Sequence, residues 1–159
     1  MKRPEEKLVA LLSARGLTFA TAESCTGGLI PKKITDISGC SSVYLGGVVS
    51  YANSVKENVL GVSGETLATV GAVSPETAEQ MVLGVRKLTG ADAAVATTGI
   101  AGPGGATAGK PVGLVYISAS FREKTVVTKN VFPGTREEVR EQAANKALEL
   151  ILGLISEIE

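Results

Sequence analysis

Between Ser74 and Thr98 the chain spells out a helix followed closely by a buried strand. Ser74-Pro75 places a capping hydroxyl before a proline at the first helical position, where the missing N–H costs nothing. Ala78, Met81, Val82, Val85 and Leu88 then recur at helical spacing, and Gly90 stops the run. Ala93 to Thr98 reads as a buried strand. The rest of the chain repeats this alternation, and helices set between strands predict a single three-layer α/β/α domain over residues 1–159.

The other elements read as follows. Residues 4–15 form a helix through Leu8, Val9, Leu11 and Leu12 that ends at Gly16. Leu17 to Ala22 is a short buried strand, and Gly27 to Asp36 a helix. Val43 to Tyr51 is β-rich, with Gly46 and Gly47 marking a bend or a close approach. Asn53 N-caps a short helix that runs to about Leu60. Val112 to Ser120 and Thr125 to Phe132 form a hairpin, so the sheet is mixed rather than all parallel. Thr135-Arg-Glu-Glu138 is a capping box that opens the last helix. Val139, Ala143, Ala147, Leu150, Ile151, Leu154 and Ile158 line that helix, and Ala144, Leu148 and Ile155 form a second apolar set. The second set suits either a partner chain or burial within a monomer.

Composition narrows the chemistry. Lysine and arginine balance aspartate and glutamate, so no electrostatic case arises for nucleic acid or an anionic membrane. No apolar run approaches the roughly 20 residues that span a bilayer. The charged N-terminus is not followed by a signal-peptide core, and the expected location is cytoplasmic. Cys25 and Cys40 form neither a CxxC pair nor a disulfide framework. Histidine is absent altogether. That removes Ser-His-Asp and Cys-His hydrolase mechanisms and the usual zinc sites. Acid-base work falls to Lys, Tyr, Asp, Glu or an activated water. No metal or cofactor is expected.

Four places could carry chemistry. Ala22-Glu23-Ser24-Cys25-Thr26-Gly27-Gly28 falls where a buried strand gives way to a helix. A nucleophile at Ser24 would meet backbone N–H groups near Thr26, Gly27 and Gly28, at the positive end of the helix dipole. The alternative is that Ser24 and Thr26 merely cap a helix. With no histidine, Lys56 is a candidate base. Counted from an Asn53 cap, it sits at the third helical position, where the dipole disfavours its charge. A neutral lysine can take a proton from serine. Tyr51, at the end of the preceding strand, could relay or donate one. The alternative for Lys56 is a surface pair with Glu57 or Glu65.

Thr97-Thr98-Gly99-Ile100-Ala101-Gly102-Pro103-Gly104-Gly105 is a backbone-rich loop after a strand, suited to a phosphate or a carboxamide. Gly104 to Lys110 spells G-x-x-x-x-G-K, but Pro111 stands where a magnesium-binding hydroxyl belongs and a strand follows, so no P-loop is read. Arg136 starts the last helix with Arg140 one turn on, a cationic placement that an anion would settle. The alternative is a surface network with Glu137 and Glu141.

The stretches AESCTGG (22–28), GGVVSYANSVK (46–56), LGV (60–62), GAVS (71–74), TTGIAGPGG (97–105), KPVG (110–113) and PGTREEVR (133–140) together resemble the CinA C-terminal domain family, the nicotinamide-nucleotide amidases. The resemblance implies metal-independent hydrolysis of nicotinamide mononucleotide to nicotinate mononucleotide and ammonia, by a Ser-Lys mechanism assisted by tyrosine. It matches Ser24 to the nucleophile, Lys56 to the base and Tyr51 to the assisting hydroxyl. Thr98, Gly99, Ala101, Gly102 and Arg136 would then hold the nucleotide. Arg136 matches the arginine of the family's G-D-R, with Thr135 replacing the aspartate. The pyrophosphatase activity of the larger domain that precedes this one in many bacteria is not carried over. The expected partner is a small nucleotide, with no nucleic acid and no membrane, in a homo-oligomer of two or more chains. Two other readings are a non-catalytic nucleotide-binding or protein-interaction module and an amidase for another small amide.

Overall fold

A computed structural model describes residues 2–158. In chain order the elements are α1 (Pro4–Arg15), β1 (Phe19–Glu23), α2 (Leu29–Thr35), β2 (Tyr44–Val49), α3 (Asn53–Asn58), α4 (Gly64–Thr69), α5 (Pro75–Thr89), β3 (Ala93–Gly99), β4 (Leu114–Phe121), β5 (Lys124–Val131) and α6 (Arg136–Ile158). The expected stop and start signals are used. Gly16 ends α1 and Gly90 ends α5, both in the left-handed conformation. Ser74 Oγ accepts from the Thr77 N–H at 3.2 Å and caps α5. The capping box at α6 closes reciprocally: Glu138 N–H donates to Thr135 Oγ1 at 3.3 Å, and Thr135 N–H to Glu138 Oε1 at 2.9 Å.

The strands form one mixed sheet in the order β2-β1-β3-β4-β5. β2, β1 and β3 run parallel, while β4 and β5 add an antiparallel hairpin at one edge. Phe19, Val95, Val115 and Ile117 bury one face under α1, α2 and α6. Ala20, Ala22, Ala94 and Ala96 bury the other under Met81, Val82 and Val85 of α5. The domain is therefore α/β with a helical layer on each face. Among the described residues, no helix is long and apolar enough to cross a membrane.

The chain leaves β1, crosses to β2 on one side of it, then returns to β3 on the other. That reversal opens a crevice at the carboxyl ends of the parallel strands, the place where open α/β sheets bind ligands. At the neighbouring edge β2 must lie close to β1. A Cβ on Gly47 would fall on Thr21, 2.7 Å from its carbonyl oxygen, which is the close approach expected of this glycine.

Several expectations need correction. The helix expected from Gly27 starts at Leu29, because Gly27 and Gly28 take positive φ values of 56° and 101° and make a turn instead. Asn53 is the first residue of α3 rather than its cap; Ala52 holds that place and has no capping side chain. The helix α4, capped by Ser63, is an element that the apolar pattern did not announce. The second apolar set of α6 is consumed inside the chain: Ala144, Leu148 and Ile155 are all fully buried in the α1–α2–α6 core. They give no argument for a partner.

Gly84 lies inside α5, where alanine ordinarily gains helix stability. A Cβ here would collide with the Leu60 carbonyl. Gly84→Ala is expected to lose about 1–3 kcal/mol by overpacking, against its helix propensity. Urea denaturation checks this, and a stabilised variant would contradict the packing described.

Candidate active site

Ser24 directly follows β1, and its N–H donates to the Thr97 carbonyl of β3 at 3.0 Å. The serine is thereby tied to the central strand pair at the crevice. β2 ends beside it, and Ser50 binds the Glu23 carbonyl through both its N–H (2.7 Å) and its hydroxyl (3.0 Å). The following turn of α3 brings in Lys56.

Lys56 is only 1% exposed, so it is no surface lysine paired with Glu57 or Glu65. Its Nζ lies 2.6 Å from the Ser50 carbonyl, 3.4 Å from the Tyr51 carbonyl and 3.2 Å from Ser24 Oγ. No carboxylate is among these partners. Burial therefore dominates and pushes the Lys56 pKa below its ordinary 10.5. The direction agrees with the sequence expectation, with burial as its largest cause; Asn53 is the first residue of α3 and not its cap. A neutral amine has two N–H groups and one lone pair. With two carbonyls accepting the N–H groups, the lone pair is left for the Ser24 hydroxyl at 3.2 Å. This arrangement lets the lysine accept the serine proton.

Cys25 is buried beside Ser24, and burial pushes its thiol up to about 12. A thiolate is the reactive form of cysteine, so this neighbour is inert at neutral pH. Of the two neighbours, it is the Ser24 hydroxyl that lies at Lys56 Nζ.

Backbone N–H groups are distributed differently from expectation. Gly27 N–H donates back to the Ser24 carbonyl at 3.0 Å. The Glu23 carboxylate accepts from the Ile30 N–H at 3.0 Å, and the Gly28 N–H has no hydrogen-bond acceptor among the described residues. Gly27 therefore builds the turn rather than supplying a free donor. Thr26 is fully buried and its hydroxyl pairs with that of Thr97 at 2.7 Å, but its N–H has no acceptor among the described residues. Glu23 escaped the sequence reading. Its carboxyl is fully buried, its pKa is raised by that burial, and it holds the start of α2. The one available signal was its place next to Ser24.

The loop after β3 forms the opposite wall. Thr98, Gly99, Ala101 and Gly102 line a cleft of about 280 Å3 together with Ser24, Lys56, Tyr51 and Arg136. Thr98 Oγ1 donates to the Ala72 carbonyl at 2.7 Å, which positions Ala72 and Val73 as further lining. Arg136 does not join a network with Glu137 and Glu141. Its Nη1 donates to the Gly102 carbonyl at 2.9 Å and its Nη2 to the Tyr51 hydroxyl at 3.0 Å. Tyr51 is 57% exposed, and its hydroxyl meets Arg136 rather than Lys56 or Ser24. The structure thus gathers Ser24, Lys56, Tyr51, Arg136 and the 97–105 loop at one cleft. A wider depression of about 480 Å3 beside α6 is lined by Glu137, Glu138 and Glu141 and holds no nucleophile.

Residues 1–155 match the model of the CinA C-terminal domain. The chain belongs to the CinA C-terminal domain family. It is 51% identical over 147 residues to a CinA-family relative from Thermoanaerobacter pseudethanolicus named a competence-damage inducible protein, covering 92% of this chain and 36% of that one. A CinA-like protein from Desulfotalea psychrophila is 51% identical over 140 residues, covering 88% of this chain and 34% of the relative. The chain therefore spans about a third of the length of these curated relatives. Among solved CinA-family folds, the competence/damage inducible protein CihA from Agrobacterium tumefaciens superposes with a TM-score of 0.93 at 42% identity, covering 95% of this chain and 93% of that one. The competence damage-inducible protein A from Klebsiella pneumoniae gives a TM-score of 0.93 at 35% identity, with 98% of each chain covered.

The thiol chemistry offers a direct check. Iodoacetamide at pH 8 is expected to alkylate the half-buried Cys40 and spare Cys25 until the protein unfolds. Mass spectrometry of the native protein reads this, and rapid alkylation at Cys25 would contradict the assignment of serine over cysteine.

Proposed function

We propose that the chain is a serine amidohydrolase that converts nicotinamide mononucleotide to nicotinate mononucleotide and ammonia. The observation that carries the chemistry is the buried Lys56 amine, 3.2 Å from Ser24 Oγ with backbone carbonyls on its other sides. The substrate rests on the CinA-family membership and on a cleft that joins this pair to an arginine and a glycine-rich loop.

In this reading Ser24 Oγ attacks the carboxamide carbon as its proton passes to Lys56 Nζ. The tetrahedral intermediate carries its negative charge on the former carbonyl oxygen, where a backbone N–H stabilises it. Lys56 returns the proton to the amide nitrogen, the C–N bond breaks and ammonia leaves. Water then attacks the acyl-enzyme and gives its proton to Lys56; as the ester bond breaks, Lys56 passes that proton to Ser24 Oγ, which restores the serine and the neutral amine and releases nicotinate mononucleotide. Every step uses one amine, taking and giving one proton in turn. Tyr51 and Arg136 form the outer wall, where the arginine's positive charge suits the substrate phosphate.

Purified protein is expected to release ammonia from nicotinamide mononucleotide, and Ser24→Ala to abolish it; full activity in that variant would remove Ser24 from the mechanism. The lysine sets a pH dependence. Burial disfavours its charged form, so the folded pKa lies below 10.5, and the competent neutral form grows as pH rises through that value. A profile of kcat/KM should rise with pH and level off below 10.5; a limb centred on an ordinary lysine would count against Lys56 as the base. Arg136→Ala should raise KM for the nucleotide much more than for the unphosphorylated riboside. Equal losses on the two substrates would show that Arg136 does not read the phosphate.

A further inference from the structure

Arg140 lies one turn beyond Arg136 on α6 and makes a different kind of contact. Its Nε donates to the Cys25 carbonyl at 3.1 Å and its Nη2 to the Thr26 carbonyl at 3.0 Å. These are the two successive carbonyls after the nucleophile. In a trans peptide the C=O and the following N–H point in opposite directions. A guanidinium that holds these carbonyls therefore turns the Thr26 and Gly27 N–H groups away from itself.

The fate of each N–H in the turn singles one out. Ser24 N–H is bound to the Thr97 carbonyl and Gly27 N–H to the Ser24 carbonyl. The N–H groups of Cys25, Thr26 and Gly28 have no hydrogen-bond acceptor among the described residues. Of these three, only the Thr26 N–H belongs to a peptide whose carbonyl Arg140 holds. The fit is close: a Cβ on Gly27 would come within 3.3 Å of Arg140 Nη2, so the glycine admits the guanidinium.

We propose that Arg140 is a positioning residue that fixes the Thr26 N–H as the oxyanion donor for the Ser24 reaction. This rests on Ser24 being the nucleophile, but not on the identity of the amide. Arginine suits the role because its planar fork reaches two carbonyls at once, whereas the lysine ammonium is a point charge on a flexible stem. Arg136 and Arg140 then divide the work: the first faces the cleft, and the second shapes the turn from behind.

The test uses the purified chain, Arg140→Ala and Arg140→Lys, with two readouts. One is the second-order rate of Ser24 labelling by a fluorophosphonate, which needs the nucleophile and the oxyanion donor but no nucleotide. The other is kcat and KM on nicotinamide mononucleotide, and melting temperatures accompany both. Loss of one oxyanion donor is worth about 10²–10³ in kcat, so Arg140→Ala should fall by about that factor in labelling and in kcat, with KM little changed. Arg140→Lys should lie in between, and if Arg140→Ala fails to fold, the lysine variant decides. Wild-type labelling in a folded variant, or a loss confined to KM, would overturn the proposal. Labelling that drops as expected in a protein inactive on the nucleotide would uphold Arg140 and remove the substrate. A wild-type Ser24 that is never labelled would overturn both readings.

Discussion

An amine removed from water and surrounded by neutral oxygens is the condition on which the site depends. Lys56 Nζ is enclosed by the carbonyls of Ser50 and Tyr51 and the hydroxyl of Ser24, with no carboxylate to hold its charge. A salt bridge at this position would keep the lysine protonated and useless as a base. Its absence lets burial win. The fold provides that burial through the turn between β2 and α3, which places the two carbonyls and the lysine within a few residues of one another. Ser50 in turn grips the Glu23 carbonyl, so Lys56 and Ser24 share one joint between β1 and β2.

The nucleophile turn is held as firmly as the base. From one direction the buried Glu23 carboxylate takes the Ile30 N–H in the first turn of α2; from another, Arg140 takes the carbonyls of Cys25 and Thr26. A short Gly-rich turn has little stiffness of its own, and preorganised donors gain their advantage from not having to reorganise during reaction. Anchoring both polarities of the backbone supplies that stiffness. The positive φ at Gly27 and Gly28 is the conformational condition for it.

Much of this was legible in the sequence, for physical reasons that differ from residue to residue. Ser74, Gly90 and the Thr135–Glu138 box announce helix ends because capping is local chemistry between residues a few positions apart. Ser24 stands out by its place between a strand and a turn, and the missing histidine leads to Lys56 by elimination. The cause of the lysine's shift was not legible. Whether Lys56 is desolvated depends on β2 and β1 lying side by side, which no local pattern encodes. Glu23 and Arg140 were hidden for a related reason. Both act on backbone atoms, and a side chain that binds a carbonyl or an N–H imposes no partner residue type that could be read along the chain. The second apolar set of α6 left two readings open, and its cover by α1 and α2 fits burial within the chain.

The protonation state of Lys56 is the central quantity, and it can be observed without turnover. Titrating lysine 15Nζ resonances by NMR, with Lys56→Met to assign the signal, reads its pKa directly. A pKa clearly below 10.5, with the other lysines titrating in the ordinary range, is the predicted result. A Lys56 amine that stays charged until pH 10.5 or above would contradict its role as the base for Ser24.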